Sequence, residues 1–219
     1  NRRSGRIFSE IANGKAPPAK GDKEQARVTL KLAVELIAEG LQKGEGRTST
    51  LVGIANSLSA LGNSYQALDA LKLAMKYSGP LKEIAVAQSK AGNNELASST
   101  FKLAVIAVQK SDMGRYKKIS ELISIGEKQA ETVGHEQASS TLNLAFLEVL
   151  KIEDTLQRDG LLRSISRALA GAGDFTLALE VSQKIEGRDS KISSLREVGR
   201  AQFKAGEGIQ AMKAFKLAV

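Results

Sequence analysis

The sequence contains a single histidine, His135 in "TVGHEQA", and no cysteine. An imidazole can act as a general base or bind a metal, but a lone one would need every other ligand or triad member from carboxylates and hydroxyls. His135 stands where a helix is expected to begin and reads as a hydrated turn residue. "GAGDF" (171–175) and "GEGIQA" (206–211) carry spaced glycines of the kind that cradle phosphates. No strand precedes them and no Lys-Ser/Thr follows, so they read as helix caps. Glu127 and Glu131 have the i, i+4 spacing of a surface pair, with nothing around them to mark a glycosidase-like site. Serines cluster in "ASSTF" (97–101), "ASSTLNL" (138–144) and "SKISSL" (190–195), where short side chains suit closely packed helices. These residues point to no enzyme, no cofactor and no metal.

Basic side chains carry the remaining chemistry. Arg163 and Arg167 stand three places before and one place after Ser166, and Arg196 and Arg200 hold the same two places around Gly199. Lys204 extends the second pair by one helical turn. Lys82 (before Ala85) and Asn56 (after Ala55) hold matching places in earlier segments, and Glu127 interrupts the row. A guanidinium is a planar fork that binds carboxylate or phosphate through two parallel bonds. Neighbouring acids such as Glu197 can occupy that fork instead.

Composition sets limits around these residues. Of 219 residues, 32 are Lys or Arg and 24 Asp or Glu, for a net charge of +8. That balance suits anionic partners. Leu, Ala, Lys, Glu and Ser predominate, Trp is absent and three prolines occur, which favours helix over sheet. A 42% hydrophobic fraction supports a packed core. Absence of cysteine excludes a disulfide framework and thiolate metal sites. No apolar run reaches the roughly 20 residues of a membrane-spanning helix. No targeting signal is visible, and the compartment is left open. The chain starts at Asn1 rather than Met and is expected to be a fragment of a longer one.

The elements that must position the arginines are set out by an internal repeat. A glycine followed by one helical face at five, nine and twelve places on recurs as Gly62 with Ala67, Leu71 and Ala74, and as Gly92 with Ala97, Phe101 and Ala104. It returns as Gly173 with Ala178, Ser182 and Ile185, and as Gly206 with Ala211, Phe215 and Ala218. Gly21 with Ala26, Leu30 and Ala33 is the same frame, and Ala138, Leu142 and Ala145 repeat it with the glycine one place late, at Gly134. A second frame precedes each break: Leu51, Ile54, Ala55; Leu81, Ile84, Ala85; Leu122, Ile125, Gly126; Leu162, Ile165, Ser166; Leu195, Val198, Gly199. In each, the small residue lies twelve places before the following alanine, although successive units are 30 to 41 residues apart. Residues at i, i+3 and i+4 share one helical face. Glycine supplies a left-handed C-cap, and a following Asp, Asn or Glu starts the next helix. The unit is a helical hairpin that must stack on its neighbours to bury its face.

"LREVGRAQFKAGEGIQAMKAFKLA" (195–218) and "LKEIAVAQSKAGNNELASSTFKLA" (81–104) resemble the tetratricopeptide repeat in their order of leucine, small residue, glycine turn, alanine, aromatic and alanine. The chain departs from that family in its irregular repeat length, in lacking a bulky aromatic early in the first helix, and in lacking a regular closing proline. The resemblance implies an all-α, right-handed α-solenoid of about six stacked antiparallel hairpins. The repeats are expected at 5–44, 48–77, 78–111, 117–153, 159–187 and 190–219, in one domain spanning 1–219. Pro17 and Pro18 interrupt the first. The resemblance further places Arg163, Arg167, Arg196 and Arg200 on one wall of a concave groove, with Lys204, Lys82 and Asn56 as fellow members. The function implied is a non-enzymatic scaffold that binds an acidic peptide or partner protein. RNA or single-stranded nucleic acid is the alternative partner, disfavoured by an aromatic content of 4%. Self-assembly through the last helix, with Ala211, Phe215 and Ala218 as an uncovered stripe, is the other alternative.

Overall fold

In a computed structural model, residues 28, 30–35, 46–76 and 81–218 are described. The expected first repeat, 5–44, with Pro17, Pro18, Gly21 and Ala26, lies outside these except for its helical residues 28 and 30–35. Among the described residues there is no strand. The chain divides into two compact units, Asn1–Leu103 and Ala104–Val219.

In the first unit, α1 (Gly46–Ala60) and α2 (Ser64–Lys76) form a hairpin on which α3 (Leu81–Lys90) packs. Helix α4 (Asn94–Lys110) follows α3 through the same kind of turn. Leu30, Leu51, Ile54, Ala55, Leu58, Ala67, Leu71 and Ile84 build one apolar cluster. In the second unit, α5 (Arg115–Thr132) pairs with α6 (His135–Val149), α7 (Thr155–Gly171) with α8 (Phe175–Gln183), and α9 (Arg188–Lys204) with α10 (Gly208–Leu217). Successive hairpins also stack first helix on first helix, α5 on α7 and α7 on α9.

The turns explain why the glycines recur. Gly92, Gly173 and Gly206 have φ of 83°, 77° and 85°, a region a Cβ disfavours. Their N–H groups donate back to Ser89, Ala170 and Phe203, while Asn93, Asp174 and Glu207 donate to the carbonyls of Gln88, Leu169 and Gln202. This is a Schellman closure. The next residue's side chain then opens the following helix: Asn93 Oδ1 accepts from Leu96 N at 3.0 Å and Asp174 Oδ1 from Leu177 N at 3.1 Å. At the α5–α6 turn the late glycine has a different job. Val133 keeps a right-handed φ of −112°, and Gly134, at φ 125°, makes the reversal one residue further on.

Packing explains the twelve-residue constancy. Ala67, Ala97, Ala138, Ala178 and Ala211 are all buried. The small residue of the first helix also faces the large residue sixteen places on. A Cβ added at Gly126 would lie 2.6 Å from Leu142 Cγ, and one at Gly199 would lie 2.7 Å from Phe215 Cε1. Between α7 and α8 the same pair is Ser166 and Ser182, whose hydroxyls meet at 2.7 Å, and Ser182 meets Ser194 of α9 at 2.8 Å. All three serines are buried, so the interior here is closed by a hydroxyl chain instead of a large side chain. Repeating small-residue helical hairpins with glycine-capped turns define a tetratricopeptide-like helical-repeat fold.

Candidate functional site

The guanidinium row lies on α7 and α9. In α9, Ser194, Leu195, Val198, Gly199 and Gln202 are buried. At 3.6 residues per turn, Arg196 and Arg200 sit roughly 100° and 140° around the helix from Leu195. Arg163 and Arg167 take the same bearings relative to Leu162 in α7. All four are exposed and stand off the apolar stripe that the hairpins bury. Helix α7 packs on α9.

A carboxylate ties the two helices on this face. Arg163 Nη2 pairs with Glu197 Oε1 across 34 residues of sequence, with side chains 44% and 27% exposed. The other oxygen, Glu197 Oε2, is shielded from solvent and has no hydrogen-bond partner. Arg167, Arg196 and Arg200 pair with no carboxylate among the described residues. Lys204 is exposed in the last turn of α9, where its charge also complements the negative end of the helix.

Register between α7 and α9 is set at their N-terminal ends by Asp159. This buried carboxylate accepts from Glu186 N at 3.1 Å and Gly187 N at 2.8 Å, the turn that opens α9. Next to it, Arg158 pairs with Glu186 and donates to the carbonyl of Ile152 at 3.2 Å. The sequence frames do not mark Asp159, because its partners lie 27 and 28 residues away and are backbone groups.

Lys82 and Asn56 belong to the first unit. Lys82 is mostly covered and pairs with Glu83 at 3.6 Å, while Asn56 is half-buried with its Oδ1 shielded and unpartnered. Glu127 is half-buried on α5, and the exposed Glu131 pairs with Lys128 at 2.7 Å. His135 is exposed at the first position of α6.

The terminal stripe departs from expectation. Ala211 and Ala218 are buried and Phe215 is half-buried against Gly199 of its hairpin partner, so the stripe does not stand uncovered. Periodicity identifies a stripe without telling which neighbour receives it. The apolar side chains that do reach solvent on this hairpin are Phe203, Ile209, Met212 and Leu217.

The class defined by these elements is an all-α repeat of helical hairpins. No family model matches the chain, and no curated protein matches it. Among solved structures, it is similar to a crystal structure of nearly identical TPR-like repeats of a Podosopora anserina kinesin light chain. The TM-score is 0.46 at 15% identity, over 78% of this chain and 92% of that one. It is also similar to Ton1535 from Thermococcus onnurineus NA1, with a TM-score of 0.45 at 12% identity, over 99% of this chain and 87% of that one. Among the described residues, no helix is long and apolar enough to cross a membrane.

Proposed function

We propose that the chain is a non-enzymatic protein–protein interaction scaffold that binds an acidic peptide or partner protein along the α7–α9 guanidinium row. The supporting observation is the identical placement of Arg163 and Arg167 on α7 and of Arg196 and Arg200 on α9, exposed and outside the packing stripe. The resemblance to the tetratricopeptide repeat supports reading this face as one wall of a groove. Clustered guanidinium groups favour carboxylates through charge-assisted, bidentate bonds. Steering by the net charge of +8 adds to the rate of encounter.

The test uses fluorescence anisotropy with a labelled oligoglutamate peptide, and a labelled single-stranded oligouridylate in parallel. Arg167→Glu with Arg200→Glu is expected to weaken peptide binding about tenfold or more at low salt. Lys102→Glu with Lys213→Glu, reversing two exposed lysines on second helices, matches it in net charge and should weaken binding far less. The difference should shrink as salt rises, because screening already weakens the native attraction. Equal losses in both variants reduce the row to a share of general charge. Tight binding of oligouridylate with none of oligoglutamate replaces the proposal with a nucleic-acid partner.

A further inference from the structure

The guanidinium row carries its own carboxylate. Glu197 projects from α9 between Arg196 and Arg200 in sequence, and its Oε1 is bonded to Arg163 of the neighbouring first helix. Its Oε2 makes no bond and is shut off from solvent. A carboxylate optimised only for stability would use both oxygens, since an ionised group accepts several hydrogen bonds and is penalised for each that is withheld. Here one oxygen holds Arg163 and the other is shielded beside a face whose remaining guanidinium groups are exposed.

Resting on the reading of this face as an anion-binding surface, we infer that Glu197 is an internal competitor. It occupies the Arg163 fork in the free protein and must be displaced, or must share that fork, when an acidic segment binds. The class of ligand follows from the same contact. The group seated on Arg163 is a side-chain carboxylate, so Asp and Glu side chains of a partner are its natural replacements. Glu197 therefore raises the threshold for binding. A ligand with one carboxylate gains little by exchange, because one Arg–carboxylate pair replaces another. A ligand with several gains from Arg167, Arg196 and Arg200 as well, so the device selects for clustered acids.

The experiment measures oligoglutamate affinity by fluorescence anisotropy for the whole chain and for Glu197→Gln, Arg163→Gln and the double variant. Glu180→Gln, on the exposed face of α8, is the control for loss of one negative charge. Glu197→Gln keeps the shape and removes the competing charge. It should bind about two- to fivefold tighter than the wild type, the range of an exposed ion pair released. Glu180→Gln should bind within experimental error of the wild type. In the Arg163→Gln background the gain from Glu197→Gln should fall to the level of that control, because the competition acts through Arg163. Binding seen only after Glu197→Gln also supports the inference, as full masking. Equal or weaker binding by Glu197→Gln overturns it, and so does a gain that persists without Arg163. In those cases wild-type binding that depends on Arg167 and Arg200 leaves the broader reading standing. No binding by any variant refutes both.

Discussion

Gly126→Ala tests the packing rule on which the repeat rests. The new Cβ would fall 2.6 Å from Leu142 Cγ and 2.8 Å from Leu142 Cδ2, with Ala138 O at 3.4 Å. Leu142 is fully buried and has no solvent side to retreat to. Overpacking of this kind costs about 1–3 kcal/mol. Replacing a mid-helix glycine by alanine returns about 1 kcal/mol of helix propensity. The net expectation is a loss of about 1 kcal/mol, or a urea midpoint lower by about 0.5 M for a domain of this size. Leu142→Ala alone should cost about 2–5 kcal/mol by leaving a cavity. Once Leu142 is gone, the added methyl enters vacated space and only the propensity gain remains. Gly126→Ala should therefore become stabilising by about 1 kcal/mol in the Leu142→Ala background. Urea unfolding followed by far-ultraviolet circular dichroism reads the four proteins of the cycle. If alanine at 126 moves the midpoint in the same direction in both backgrounds, Leu142 is not the reason a glycine stands there. Gly199→Ala should cost less than Gly126→Ala, because Phe215 is only half-buried and its ring can swing outward.

Ala178→Arg, and separately Ala97→Arg, should each destabilise by several kcal/mol, since both sites are fully buried and would take an unpaired charge; unchanged thermal midpoints would show that the packing face is misassigned. Asp159→Ala should cost about 1 kcal/mol, because the α8–α9 turn loses the buried carboxylate that accepts from its two N–H groups. Hydrogen exchange should then quicken at Glu186 and Gly187, and protection equal to wild type there would count against the carboxylate as the tie.

The helical hairpins were legible because their signals are local. A glycine turn, a capping Asn or Asp, and a stripe at i, i+3 and i+4 all act within a few residues, and the chain repeats them. The small residue twelve places before each buried alanine carried the hairpin register as well. What periodicity did not tell was the partner of the last stripe. Ala211, Phe215 and Ala218 read from the sequence as an uncovered stripe, because periodicity alone gives a face and not its neighbour. The deciding signal was Gly199, sixteen residues before Phe215 and too small to fill its own side of the contact. Asp159 and the Arg163–Glu197 contact were out of reach, because each acts between segments that only the tertiary fold makes neighbours.

Those two carboxylates bear on one question, which is how a repeat holds a charged face in register. Between α5 and α6, and between α9 and α10, a glycine receives a large apolar side chain, and shape fixes the contact. Between α7 and α8 the same place holds Ser166 against Ser182, and Ser182 continues the chain to Ser194 of α9. Hydroxyl pairs specify direction, but they bury little apolar area. Asp159 compensates from one end by holding the backbone of the turn that leads into α9, a contact that no sliding of α9 along α7 would preserve. Arg163 stands one helical turn after Asp159, and its bond to Glu197 is the next tie between the same two helices. The buried acid sets the register, and the exposed pair is built upon it. Loosening Asp159 should therefore disturb the Arg163–Glu197 contact before it unfolds the hairpins, and removing Glu197 should leave the Asp159 turn intact.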